Sequence, residues 1–142
     1  MSERFGNPTP TQLRALLQSV ARIAVVGLSP KPARPSHRVA AAMQGFGYRI
    51  VPVRPAVDAV LGERAYPDLY ALDEIPDLVN VFRAPAHVAP IVDACLTLGV
   101  PALWLQDGVI NPPEAARARA GGMTVVMDRC IYRDYLELLG AP

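Results

Sequence analysis

Apolar positions along the chain follow two periods. Short β-branched runs recur, and between them apolar residues repeat every three to four positions, the spacing of one helix face. The first helix signal is Thr9-Pro10-Thr11-Gln12, with Thr as N-cap, proline at the first helical position and glutamine at the third, a capping box. Leu13, Leu16, Leu17 and Val20 then keep helical spacing and predict a helix over about 10–21. Ile23-Ala-Val-Val26 follows and ends at Gly27. A run apolar on both faces suits a central parallel strand covered by helices on each side.

The proline-dense stretch Gly27–Ser36 reads as a loop, and Ser36 as the N-cap of a helix carrying Val39, Ala40, Met43 and Phe46, closed by Gly47. Tyr48–Pro52 predicts the second strand. Residues 53–77 form a longer connection with one helical turn around 72–75. Leu78–Phe82 is the third strand, and Pro85 opens a helix whose apolar face (Val88, Ile91, Val92, Cys95, Leu98) runs to Gly99. Pro101–Leu105 is the fourth strand. Asn111 caps a helix opened by Pro112 and stopped by Gly121-Gly122, Thr124–Met127 is the fifth strand, and Ile131–Leu139 closes as a helix. This alternation predicts an α/β protein: one Rossmann-like, doubly wound domain over 1–142 with a five-stranded parallel sheet. The expected strand order is 3-2-1-4-5. A ligand would then sit at the carboxyl ends of the strands, near the switch point between the first and fourth.

Composition narrows the functional classes. A chain of 142 residues fits one domain, and 51% hydrophobic against 19% charged residues marks a globular protein. Lys and Arg number 14 against 13 Asp and Glu, so nothing favours nucleic acid or a membrane surface as partner. All the basic residues except Lys31 are arginines, whose planar fork suits phosphate. Cys95 and Cys130 make no disulfide framework, and with His37 and His87 they form no metal-ligand pattern, so no metal is expected. No apolar run approaches the roughly 20 residues of a membrane span. The segment Met1–Pro8 lacks the apolar core of a signal peptide, so a cytoplasmic location is expected.

Candidate chemistry gathers at the strand ends. These are Gly27-Leu28-Ser29, Val53-Arg54-Pro55, Phe82-Arg83-Ala84-Pro85 and Gln106-Asp107-Gly108, with Asp128-Arg129-Cys130 after the fifth strand. The first loop resembles a phosphate-binding turn, since a glycine lets backbone approach a ligand and the next helix offers free N–H groups. Lys31, Arg34 and Ser36 are competent phosphate ligands there, although the second and third glycines of a dinucleotide fingerprint are absent. The plain alternative is a proline-stiffened connection. An NAD enzyme places an acid at the end of its second strand. This chain has Arg54 and no acid until Asp58, which suits NADP or the 3′-phosphate of coenzyme A, or else a surface arginine. No catalytic constellation emerges. His87 reads as a surface or capping residue, His37 forms no triad, and Cys95 is core. Cys130 lies beside Arg129, which would favour thiolate, and after Asp128, which would oppose it.

Taken together, Val25-Val26-Gly27-Leu-Ser29, Arg34-Pro35-Ser36-His-Arg-Val39, Tyr48-Arg-Ile-Val-Pro52, Leu61-Gly62-Glu63, Tyr66-Pro67, Val81-Phe82-Arg83, Trp104–Val109 and Met127–Cys130 carry a resemblance. The chain is similar to the small stand-alone CoA-binding domain proteins of bacteria and archaea, relatives of the N-terminal domain of the succinyl-CoA synthetase α subunit. The resemblance spans about Arg22 to Cys130. It implies coenzyme A as ligand, with Gly27–Ser29, Arg34 and Ser36 at the phosphates and the Val53–Pro55 and Phe82–Pro85 turns flanking the adenosine. The family usually has Asn where this chain has Arg54, so a charge contact would replace a hydrogen bond there. The phosphorylated histidine of the synthetase subunit lies in another domain and is not carried over. The expected function is binding of coenzyme A or an acyl-CoA without self-contained catalysis. The alternatives are a small NADP-dependent oxidoreductase or an acyl-CoA-sensing regulatory module. Oligomeric state and any protein partner stay open.

Overall fold

Strand β1 (Arg22–Val26) shows how one sheet serves two cores. Its residues alternate, Ala24 and Val26 joining one buried cluster, Ile23 and Val25 the other. The computed structural model describes residues 5–140; the outermost residues of the expected 1–142 domain, Met1–Arg4 of the leader reading among them, lie outside these. Helices α1 (Pro10–Ser19), α2 (Pro35–Gly45) and α5 (Ile131–Leu139) cover one face of the sheet, with Leu13, Leu17, Met43 and Ile131 in that core. Helices α3 (Val88–Leu98) and α4 (Pro112–Ala120) cover the other, burying Val92, Cys95, Ala115 and Ala118. None of the described helices is long and apolar enough to cross a membrane.

The other strands are β2 (Arg49–Val53), a small antiparallel pair β3 (Ala59–Val60) and β4 (Glu63–Arg64), β5 (Leu78–Val81), β6 (Ala102–Leu105) and β7 (Thr124–Val126). The five-stranded sheet is parallel, as expected, but its order is β2-β1-β5-β6-β7. Counting only these five strands, that is 2-1-3-4-5 and not 3-2-1-4-5. The physical reason lies in the connection after β2. Tyr66 donates its N–H to the Pro52 carbonyl at 3.0 Å, and its own carbonyl accepts from Arg54 N–H at 2.7 Å. The chain therefore occupies the outer edge of β2 itself, and the next strand pairs with β1. The switch point moves to the gap between β1 and β5, the crevice that this strand order uses for ligands.

Local signals hold for α1, whose Thr9 and Gln12 make both halves of the capping box, and for α4, where Asn111 accepts from Glu114 N–H. Three details differ. Helix α2 starts one residue before Ser36, with Arg34 at the N-cap position and no side-chain cap. The turn expected at 72–75 is a 3-10 turn at Leu69–Ala71, fastened by Asp68. Pro85 begins another 3-10 turn, Pro85–His87, and α3 proper starts at Val88.

Tyr48 ties α1 to the start of β2, its hydroxyl donating to the Leu17 carbonyl at 2.5 Å. Burial first, then the neighbouring Tyr135, pushes its phenol up from 10.0 to about 12. A folded-state value above the unfolded one contributes stability that is complete below pH about 10 and disappears as pH rises through about 12. Thermal melts of wild type and Tyr48→Phe should therefore converge over that window. Below it the variant should be less stable by about 1 kcal/mol for the lost hydrogen bond. A gap that persists unchanged to high pH would contradict this account.

Candidate functional site

At the carboxyl ends of β1, β2 and β5 the chain turns on Gly27. Its N–H donates to the Val53 carbonyl at 2.9 Å, and Phe82 N–H donates to the Val26 carbonyl at 2.9 Å, so both neighbouring strands close on this turn. Gly27 has φ +85°, and a Cβ there would stand 2.7 Å from the Phe82 carbonyl oxygen and 3.0 Å from Arg83 Cδ. Only glycine fits.

The loop beyond it is internally organised. Ser29 N–H donates to Ser36 Oγ at 2.9 Å, and Lys31 N–H donates to Ser29 Oγ at 3.1 Å. Both serines are buried, so Ser36 braces the turn rather than capping its helix. A cleft of about 460 Å³ opens over this loop, lined by Gly27, Ser29, Lys31, Arg34, Ser36, Arg54 and Phe82. A second chamber of about 280 Å³ adjoins it at Gly27, walled mainly by apolar residues (Val53, Pro55, Leu69, Tyr70, Pro90, Ile91 and Ala94), with Arg83 and one acid, Asp68, also in its lining. The two share Gly27 and read as one site with a polar and an apolar half.

Electrostatics separates this site from the other hollows. Arg22, Arg64, Arg117, Arg129 and Arg133 each pair with an acid. Lys31, Arg34, Arg54 and Arg83 pair with none among the described residues. A larger hollow of about 740 Å³ lies beside β7, but its only cation, Arg119, covers the Phe5 ring and donates to the Gly6 carbonyl. A small one of about 100 Å³ at the opposite end of β2 mixes Arg22, Arg49 and Arg64 with Glu63, Asp73 and Glu74. Among the described residues no cluster of His, Cys, Asp and Glu could hold a metal ion.

The remaining strand ends are structural where they can be seen. Leu28 is wholly buried and lines neither chamber. Ala84 is exposed and lines neither chamber. Gln106 is buried, its Oε1 accepting from Asn80 Nδ2 at 3.2 Å and from Ile131 N–H at 3.3 Å, so it caps α5. Gly108 N–H donates to Asp128 Oδ1 at 2.7 Å. Cys130 is buried in the α1–α2–α5 core, and the Arg129 guanidinium beside it grips the buried Asp134 at 2.6 and 2.7 Å instead of facing the thiol. Gln106, Gly108 and Cys130 line neither chamber. Burial alone pushes the Cys95 thiol up to about 12, as befits an inert core residue.

Residues 21–135 match a protein family described as CoA binding domain. The chain belongs to the CoA-binding domain family. It is 41% identical to the uncharacterized protein YneT of Bacillus subtilis over 88% of this chain and 93% of that one. A hypothetical protein from Pyrococcus horikoshii has the same fold, with TM-score 0.91 and 29% identity over 99% of this chain and 100% of that one. The fold also recurs in the dinucleotide-forming acetyl-coenzyme A synthetase 1 of Ca. Korarchaeum cryptofilum, at TM-score 0.65 and 21% identity over 79% of this chain and 27% of that one. Family membership points to coenzyme A as the ligand class. The apolar chamber wall from Pro67 to Tyr70, and Pro90, Ile91 and Ala94 of α3, were invisible to strand-end reasoning. The available signal was Leu69-Tyr70, an apolar pair inside a polar connection.

Substituting Gly27→Ala should both strain the backbone and clash with Phe82. The positive φ alone costs about 1–3 kcal/mol. Gly99, at φ +77° with nothing within 4 Å of a built Cβ, supplies the control for that part. Denaturant unfolding should show Gly27→Ala losing clearly more stability than Gly99→Ala, and equal losses would refute the close approach.

Proposed function

We propose that the chain binds coenzyme A or an acyl-CoA in the two-chambered cleft, and that it carries no catalytic apparatus of its own. The observation that carries this reading is the segregation of charge. Five of the nine other described arginines pair with acids and three more, Arg14, Arg38 and Arg119, donate to backbone carbonyls, while Lys31, Arg34 and Arg54 share a cleft whose described lining holds no acid, and Arg83 stands in the adjoining chamber. Unpaired like charges in a cleft raise the local potential for an anion and repel one another until it arrives. The uncapped start of α2 adds backbone N–H groups and the positive end of a helix dipole at the same place. A polyphosphate fits the polar half. The apolar half suits the planar base or the pantetheine arm, and the family description supports CoA over other nucleotides. The absence of an acid after β2 disfavours an unphosphorylated ribose, and with it NAD. The ligand is a cytoplasmic one in this reading, consistent with two unpaired cysteines.

Coenzyme A should raise the melting temperature and NAD should not. At a hundredfold excess over Kd the stabilisation is about 2.7 kcal/mol. A shift with NAD or NADP and none with CoA would replace this reading with the oxidoreductase one.

Arg34 is exposed at the mouth of the loop, so its removal should leave folding nearly unchanged. Calorimetric titration of Arg34→Ala with CoA should show binding weakened by about 1.5–3 kcal/mol, the range for a hydrogen bond to a charged group. Unchanged affinity would put Arg34 in solvent.

A further inference from the structure

Away from the cleft, Arg49 at the start of β2 has neither a side-chain hydrogen bond nor an ion pair among the described residues. It lines the hollow of about 100 Å³ at the amino ends of β1 and β2, together with Glu63 at the start of β4. Glu63 is half-buried and its side chain is likewise without a partner among the described residues. The other charges of the hollow are engaged. Arg22 holds Glu74 at 2.8 Å, and Asp73 accepts from the Tyr66 hydroxyl at 2.9 Å and stands 3.9 Å from Arg64. One cation and one acid therefore line the same small space without pairing with each other, and Ile50, Val51 and Leu72 complete its lining.

Arg22, Arg49 and Arg64 face Glu63, Asp73 and Glu74 across this hollow, so its lining carries no net formal charge. Neither a simple anion nor a simple cation gains from the field as a whole. An occupant with both signs does gain, because one end meets Arg49 and the other meets Glu63. From this juxtaposition we infer that the hollow is a second ligand site, for a small dipolar ion that bears a carboxylate and an ammonium, as a small free amino acid does. The Arg49 fork donates to the carboxylate, and the Glu63 carboxylate accepts from the ammonium. Its volume is well below the roughly 300 Å³ at which sites for drug-sized ligands begin, so a nucleotide is excluded by size. The site stands apart from the CoA reading. It lies at the opposite end of β2 from the cleft and shares no lining residue with either chamber.

The test is an amide NMR titration with L-alanine, and separately with propionate and with ethylamine, each of which keeps one of its two charged groups. Alanine should shift the amides of residues 49–51 and 63–66 saturably. Its Kd should be on the order of 1 mM, within reach of a ligand of few atoms held by two charge contacts. Propionate and ethylamine should each bind more weakly by roughly tenfold. Arg49→Gln should weaken alanine by a similar factor and leave ethylamine unchanged, while Glu63→Gln should weaken alanine and leave propionate unchanged. A general loss of structure would not give this crossed pattern, and unshifted amides in β6 and β7 report that both variants are folded. No saturable shift with alanine overturns the site, as does propionate or ethylamine binding as tightly as alanine. Alanine binding that neither substitution weakens overturns it too.

Discussion

The backbone around Gly27 is held at a distance that no side chain tolerates, and most of the site follows from that approach. Because the Phe82 carbonyl oxygen stands only 2.7 Å from where a Cβ would be, glycine lets β1 and β5 end at the same level, Val26 beside Val81. The Gly27 N–H meanwhile spends itself on Val53 of β2. Three strand ends are thus locked to one residue. The loop leaving it must rise over the sheet, and the buried serines Ser29 and Ser36 fix its path before any ligand is present. Everything offered to the cleft, cations and helix terminus alike, is hung on this turn.

A second consequence of the fold is a division of labour among strand ends. Those of β1, β2 and β5 border open space. Those of β6 and β7 are knitted shut: Trp104 Nε1 donates to the Arg129 carbonyl at 2.8 Å, Asn80 and Gln106 are joined, and Asp128 reaches Gly108. Buried polar groups of this kind are costly unless satisfied, and once satisfied they make a rigid unit. The half of the sheet that carries Cys130 acts as foundation, while the other half carries the cleft.

Much of the architecture was legible because local chemistry and periodicity agreed. The Thr9–Gln12 box, the Asn111 cap and the doubly apolar strands each have one cheap structural solution. The order of strands did not, since alternation of helix and strand says nothing about which edge the chain returns to. Here a single residue, Tyr66, decides the matter by pairing with the outer edge of β2, and no periodicity marks it. The candidate site divides the same way. Gly27, Ser29, Lys31, Arg34, Ser36, Arg54 and Phe82 were found by their position after strands, and they do converge. Gln106 and Cys130 occupy equivalent positions but turn inward, because α5 needs its first N–H satisfied and its base packed. Side-chain direction at a strand end depends on what the next element requires, which sequence position alone does not reveal.

Tyr66 has a counterpart at the far side of the sheet. Asn7 lies beyond β7 and mimics a strand residue with its side chain, Nδ2 donating to the Met127 carbonyl at 2.9 Å and Oδ1 accepting from Met127 N–H at 2.7 Å. Both outer strands are therefore hemmed at their carboxyl ends, the rim where the ligand cleft opens. Fraying of a sheet begins at edges whose backbone groups face water, so the rim is protected at both of its edges. The entropy of ordering the rim is spent in folding and is not charged against association. A cleft built this way meets its ligand preformed, and the affinity that its few cations supply is left undiminished by any need to organise the frame that holds them.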